Sequence, residues 1–327
     1  MSTPTHRRSA RRAARLAASL LAVALLAGCS TVTDDADAAS TSAAAGDDSA
    51  TPDDAAATHS VEHARGTTEV PAEPLRVVVL EPVQLDTAVA LGAVPVGAAV
   101  LNEEAGVPSY LGEAAAGIES VGTVTEPSIE KIAALEPDLI LGTESRHSAL
   151  YDRLDEIAPT VFMATQTDPW TENVELVARA LGDEAGAQTL LDAFDARCTE
   201  VAEDHETAGK TAQLVRPRDG LLSLYGPTSF AGSVLECAGF TTPERDWEES
   251  ISVDLSYERV FEAEADLVLV TTTDTSDQST LPEVLATNTD AFPSLHLVDQ
   301  SFWITGVGPL GGMAVLDDLD RLLSDGS

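Results

Sequence analysis

Arginine is the residue whose chemistry stands out in this chain. The sequence carries 55 acidic and 18 basic residues, and beyond residue 28 the only lysines are Lys131 and Lys210. A guanidinium holds a carboxylate through two parallel hydrogen bonds, whereas an ammonium acts as a point charge. Each arginine of the folded region is therefore a candidate anion contact. The carboxylates carry no comparable signal one by one, because a chain this acidic places acid–base pairs together by accident. Glu130 and Glu258 do have a context. Sliding the chain against itself lays Ser128–Thr143 (SIEKIAALEPDLILGT) over Ser256–Thr271 (SYERVFEAEADLVLVT) without a gap, and seven of the 16 positions are identical. Each copy has a serine placed to cap a helix, a glutamate in the first turn where the dipole favours it, and an aspartate before an apolar strand.

No G-x-S-x-G elbow, H-E-x-x-H helix, phosphate-cradling loop or paired-cysteine metal spacing occurs, so no catalytic residue and no metal ligand is assigned. Gly306-Val307-Gly308-Pro309-Leu310-Gly311 does match G-x-G-x-x-G. That fingerprint needs a following helix, a second strand and an acidic residue, yet only 16 residues remain after Gly311. The glycines instead predict a turn that ends a loop and starts the last helix, with Pro309 in its first positions. His59 and His63, at i,i+4 spacing, read as solvated side chains.

The first 28 residues place Arg7, Arg8, Arg11, Arg12 and Arg15 before an apolar run from Leu16 to Leu26, which is the order of a bacterial export signal and too short to span a bilayer. Leu26-Ala27-Gly28-Cys29 then forms a lipobox, in which Cys29 accepts a diacylglycerol and becomes the first mature residue. The chain is thus expected outside the cytoplasm, held to the cell membrane by lipid alone. Residues 1–28 hold five basic side chains and no acidic one, so their removal takes the net charge from −37 to −42. Nucleic acid is a poor partner for such a surface. Cys198 and Cys237, exported to an oxidising compartment, either bridge or stay as buried thiols.

Residues 29–73 are dominated by Ala, Ser, Thr, Asp and Gly with no aromatic side chain, and they predict a disordered tether. Residues 74–327 are long enough for two lobes with their own cores. Leu75–Leu80 (LRVVVL) is a nearly continuous apolar run, as in a strand covered on both faces. A short helix over Leu85–Leu91 and a strand over Val94–Ala98 complete a βαβ unit. The pattern is helical over about 171–206, with a break at Gly182-Asp183, and further strands are expected at Gly220–Tyr225, Leu267–Thr271 and His296–Asp299. Together these predict an α/β fold of two lobes, about 74–168 and about 211–327, built on one plan and linked by the long helix.

From about Leu75 to Leu323 the chain resembles the iron-siderophore and vitamin B12 class of substrate-binding proteins of ABC importers. The resemblance rests on Val121-Gly122 with Glu126–Ile140, on Arg146-His147 followed by Tyr151 and Ile157–Phe162, on Tyr225-Gly226-Pro227 with Ser229–Leu235, and on Trp303 with Gly306, Gly308 and Pro309-Leu310. It implies two Rossmann-like lobes joined by a single long helix (class III periplasmic-binding-protein type), with ligand held between them and only a small closing motion. The Arg146-His147 pair and the Ser229-Phe230 segment look like the siderophore branch, with cobalamin or haem as the alternative cargo. A ferric siderophore brings its own oxygen ligands to the metal, so no cofactor is needed and recognition falls to its exterior. Arg146, His147, Tyr225 and Trp303, with Arg216 or Arg218 from the second lobe, are the implied ligand contacts. Glu130 and Glu258 fall where the family carries one glutamate per lobe to dock onto arginines of the ABC permease. At Thr242-Pro243 the chain departs from the family, which often has an arginine before that proline. A monomer that is not an enzyme is implied, and a tethered extracellular enzyme using a cleft carboxylate is the alternative of another class.

Overall fold

The computed structural model describes residues 57–167, 169–247 and 250–325. The export signal, Cys29 and the tether up to residue 56 lie outside the described residues.

The tether expected through residue 73 stops short of that boundary. Strands β1 (Thr58–His63) and β2 (Gly66–Pro71) form an antiparallel hairpin. Val61 and Val70 are buried in the core of the first lobe, and two well-placed valines suffice where the composition looked too polar to fold. The two histidines are structural as well. His59 Nε2 lies 2.6 Å from the Arg179 carbonyl, and His63 Nδ1 accepts from the Phe162 N–H at 3.1 Å.

The first lobe is a parallel sheet of β3 (Val77–Val79), β4 (Gly97–Val100), β5 (Glu119–Thr123), β6 (Leu139–Thr143) and β7 (Thr160–Met163), in the order β5-β4-β3-β6-β7. Its helices are α1 (Pro82–Ala90), α2 (Ile129–Ala134), α3 (Glu144–His147) and α4 (Tyr151–Asp155). The apolar run at its start behaves as a strand with two covered faces should. Val77 and Val79 enter one apolar cluster, and Val78 and Leu80 enter another on the opposite face.

The link is two helices, α5 (Trp170–Leu181) and the 21-residue α6 (Glu184–Asp204). At 1.5 Å per residue the second is about 31 Å long. Gly182 ends the first in a left-handed conformation, φ 75°, and the Asp183 side chain caps the second by accepting from Gly186 N–H. The break foreseen at these two residues is therefore a full interruption of the single helix.

The second lobe contains β8 (Ala212–Arg218), β9 (Leu221–Tyr225), α7 (Phe230–Cys237), β10 (Ser252–Ser256), β11 (Leu267–Thr272), α8 (Glu283–Ala286), β12 (Leu295–Asp299), α9 (Gln300–Trp303) and α10 (Pro309–Asp325). The strand order is β10-β9-β8-β11-β12. Here β9 runs antiparallel to both its neighbours, because Asp219 and Gly220 both take positive φ and fold the chain straight back. The repeat holds nonetheless. Strands β6 and β11 take the same fourth place in their sheets, each parallel to the first strand of its lobe. The aspartates before them also match, Asp138 accepting from the Leu75 and Arg76 N–H groups and Asp266 from Thr211 N–H and hydroxyl. The copies differ at the helix. Ser128 caps α2, whereas the second copy winds as a 3₁₀ segment, Tyr257–Ala263, without a side-chain cap.

One apolar cluster runs through both lobes and the link. It joins Val83 and Met163 to Trp170 and Val174 on α5, to Phe194 and Val201 on α6, and to Val315 and Leu319 on α10. Trp170 meets Phe194 and Phe230 edge-on at 5.1 and 5.6 Å between ring centres. Among the described residues no helix is long and apolar enough to cross a membrane.

Cys198 on α6 and Cys237 on α7 are bonded, across a sequence separation of 39. Closing a loop of that length removes chain entropy worth about 4 kcal/mol from the unfolded state. Replacing both cysteines by alanine is expected to lower the urea-unfolding free energy by about 2–4 kcal/mol. Reduction with dithiothreitol should reproduce the loss, and an unchanged unfolding midpoint would refute it.

Candidate functional site

In open α/β sheets a ligand finds its place beyond the carboxyl ends of the strands. Those ends converge here on a cleft of about 1420 Å³ between the lobes. Glu81 follows β3, Leu101 and Asn102 follow β4, and Arg146 stands on α3 directly after β6. The second lobe answers with Thr273 after β11 and with Asp299 to Ser301 at the end of β12.

Arg146, Arg216, Tyr225 and Trp303 all line this cleft. The Arg146 side chain keeps 33% exposure and sets Nη1 2.7 Å from Glu81 Oε2. Arg216 enters from the opposite lobe, its Nη1 donating to the Tyr225 hydroxyl at 3.5 Å. Trp303 belongs to the wall. It is fully buried, and its indole N–H donates to Asp318 on α10 at 2.8 Å.

Two expected contacts stand elsewhere. His147 is 1% exposed, its Nδ1 accepting from Thr143 N–H at 3.1 Å while Nε2 donates to the Val124 carbonyl at 2.7 Å. Burial lowers its basicity, so the ring is a neutral brace between β6 and the loop after β5. Adjacent residues on a helical turn point about 100° apart, which is why Arg146 reaches the cleft and His147 the core. Arg218 lies two residues beyond Arg216, at the far tip of the β8–β9 hairpin. There it donates to the Ser223 hydroxyl and pairs with Asp254 on β10 at 3.3 Å.

Glu81 escaped the reading of the sequence. Its side chain is 1% exposed, and burial pushes its carboxyl up to about 7 against the pull of Arg146. Its one legible mark is position, the second residue past a fully buried strand.

The glycine run near the C-terminus has found its anion within the protein. The N-terminus of α10 presents the Leu310 and Gly311 N–H groups to Asp86 on α1, at 2.9 and 2.8 Å, and the Tyr110 hydroxyl adds a third bond at 2.9 Å. Asp86 is wholly buried, and that burial pushes its carboxyl up to about 7. A Cβ on Gly308 would stand 2.4 Å from Asp86 Oδ1, and one on Gly311 would stand 1.6 Å from the Gly306 carbonyl. The motif therefore allows close approach, as in a dinucleotide fold, toward a protein carboxylate.

Glu130 and Glu258 are both exposed, Glu130 at 84% of its side chain with Arg153 4.0 Å away. Tyr257 and Phe261 lie open beside Glu258, at 39% and 53% exposure. Among the described residues no group of three or more His, Cys, Asp or Glu is arranged to hold a metal ion.

Comparison with known proteins places this geometry. The family described as periplasmic binding protein matches residues 77–295. The chain is 33% identical over 286 residues to the probable siderophore-binding lipoprotein YfiY of Bacillus subtilis, covering 80% of this chain and 87% of the relative. It is 30% identical over 191 residues to the Fe(3+) dicitrate-binding periplasmic protein FecB of Escherichia coli, covering 58% and 63% respectively. Among solved structures, Staphylococcus aureus SirA complexed with staphyloferrin B superposes with a TM-score of 0.69 at 27% identity, over 82% of this chain and 99% of that one.

Proposed function

Because the chain belongs to the periplasmic binding protein family, we propose that it captures a ferric siderophore outside the cytoplasm and delivers it to an ABC-type permease. The observation that carries this reading is one arginine from each lobe, Arg146 and Arg216, facing a single large cleft. Such a complex encloses its metal in its own oxygens, so what the protein must match is the charge and shape of the outside. Two guanidiniums with polar groups from both lobes suit an anionic exterior, and rings and aliphatic side chains cover the rest. The names of the relatives, siderophore-binding and ferric-citrate-binding, support the same class of cargo.

Around this core stand four further parts of the proposal. Cys29 carries the lipid anchor, the protein acts as a monomer, it performs no catalysis, and Glu130 and Glu258 engage the permease. The test of the whole is titration of the purified protein with a panel of ferric siderophores, followed by the fluorescence of Trp170 and Trp303 at the cleft. A saturable response to at least one complex is expected. A response to cobalamin or haem alone would transfer the protein to that cargo.

Arg146→Ala should weaken an anionic complex by about 1.5–3 kcal/mol, the worth of hydrogen bonds to a charged group. Calorimetric affinities of the wild type and the variant would check this, with circular dichroism to confirm the fold. Equal affinities would remove Arg146 from the binding surface.

A further inference from the structure

Glu81 poses a question that ligand capture alone does not answer, since a binder of anions has buried a carboxylate against its own principal cation. The guanidinium of Arg146 meets Oε2 of Glu81 at 2.7 Å, and both residues line the cleft. We propose that Glu81 sets how much of the charge on Arg146 reaches the ligand, so that an anionic complex is captured together with one proton taken onto the Glu81 carboxylate. This rests on the function proposed above and concerns the regulation of the same site. The proton leaves a hydronium ion or a buffer acid, whose bond to it breaks and whose conjugate base returns to solution, as one O–H bond forms on Glu81.

Among the described residues Arg146 is the one charge that acts closely on Glu81. On α3 the neighbouring His147 has both ring nitrogens engaged with backbone groups and is held neutral by burial. On α1 Asp86 is committed to Tyr110 and the start of α10. Of the remaining charged groups that line the cleft, Glu103 pairs with Lys131 at 3.6 Å, and Asp299 accepts from Ser301 N–H. Arg216 faces in from the second lobe, where it donates to Tyr225.

With the cleft empty, burial already holds the Glu81 carboxyl up to about 7. An incoming anion competes for Arg146 and adds its own field, so the ligated protein holds the proton more firmly than the free one. Linkage fixes the sign. Affinity is greatest below about 7, and it falls as pH rises through the higher value of the loaded state. For a coupling in the usual range, the fall between about pH 6 and about pH 8.5 is roughly tenfold.

The experiment uses ferric citrate and ferric staphyloferrin B as probes, on the wild type and on Glu81→Gln, at both pH values. The ratio of the two proteins' affinities cancels the titration of the probe itself. The variant is expected to bind tightly at both, with the wild type matching it at the lower pH and falling about tenfold behind at the higher. A ratio that does not change with pH overturns the inference while leaving the function in place. Carbon-13 NMR of side-chain carboxyls, assigned by the same variant, gives a ligand-free reading. Glu81 is expected to titrate near 7 and higher once ligand is added, and a midpoint in the ordinary carboxylate range overturns the inference as well. Failure of both probes to bind either protein at any pH overturns the anionic cargo and this inference together.

Discussion

Asp86→Ala should lower the stability of the folded chain by about 3–5 kcal/mol. Among the described residues the Asp86 carboxylate is the one side chain that satisfies the Leu310 and Gly311 N–H groups at the start of α10, and it also holds the Tyr110 hydroxyl. Alanine would strand those donors in a buried site, where each costs about 1–3 kcal/mol. The glycines around it pack so closely that no larger residue can substitute for the missing group. Asp86→Asn should lose about half as much, since an amide oxygen still accepts. Urea unfolding of the three proteins decides the matter, and an alanine variant within about 1 kcal/mol of wild type would show that water replaces the carboxylate. The pH dependence carries its own sign. The folded-state value near 7 exceeds the ordinary 3.8, so this group's contribution is fullest below about 4 and is lost as pH climbs toward 7. Asp86→Asn should remove that slope.

Replacing Glu130 and Glu258 together by alanine is expected to abolish iron import while leaving siderophore affinity unchanged. Both side chains are exposed on the two copies of the repeat, and neither lines the cleft. Exposed carboxylates of this kind contribute within about 0.5 kcal/mol to folding, so the variant should purify as a normal binder. On the proposed docking role it would lose one charge-assisted contact on each lobe, and with both gone the permease would have no fixed register on the protein. Uptake of radiolabelled ferric siderophore by cells carrying the variant is the readout. Import at the normal rate would refute the docking role, and a loss of affinity would relocate the glutamates to the cleft.

Much of this was legible in the chain. The buried strands declared themselves by apolar runs, and the repeat correctly paired Asp138 with Asp266 and β6 with β11, because those positions are fixed by how a strand enters a parallel sheet. The start of α10 at Pro309 followed from proline and glycine chemistry. Contacts between distant segments were not legible. Beyond its place just after a buried strand, nothing distinguishes Glu81 from the other acidic residues until β3 and α3 are brought side by side. The hairpin of β1 and β2 was missed because a polar segment with two valines reads as disorder unless a neighbouring surface awaits them. The Asp219-Gly220 turn did carry a signal for an antiparallel step. The strand runs alone say nothing of direction, and that turn is where the direction is set.

The aromatic junction of Trp170 with Phe194 and Phe230, set in a core common to both lobes, bears on traffic at the importer. On the function proposed above, a core common to both lobes predicts nearly the same outline with cargo as without it. Vacant copies should therefore occupy the same landing place as filled ones and slow iron entry when they are in excess, so throughput depends on the ratio of the two and not on protein abundance alone.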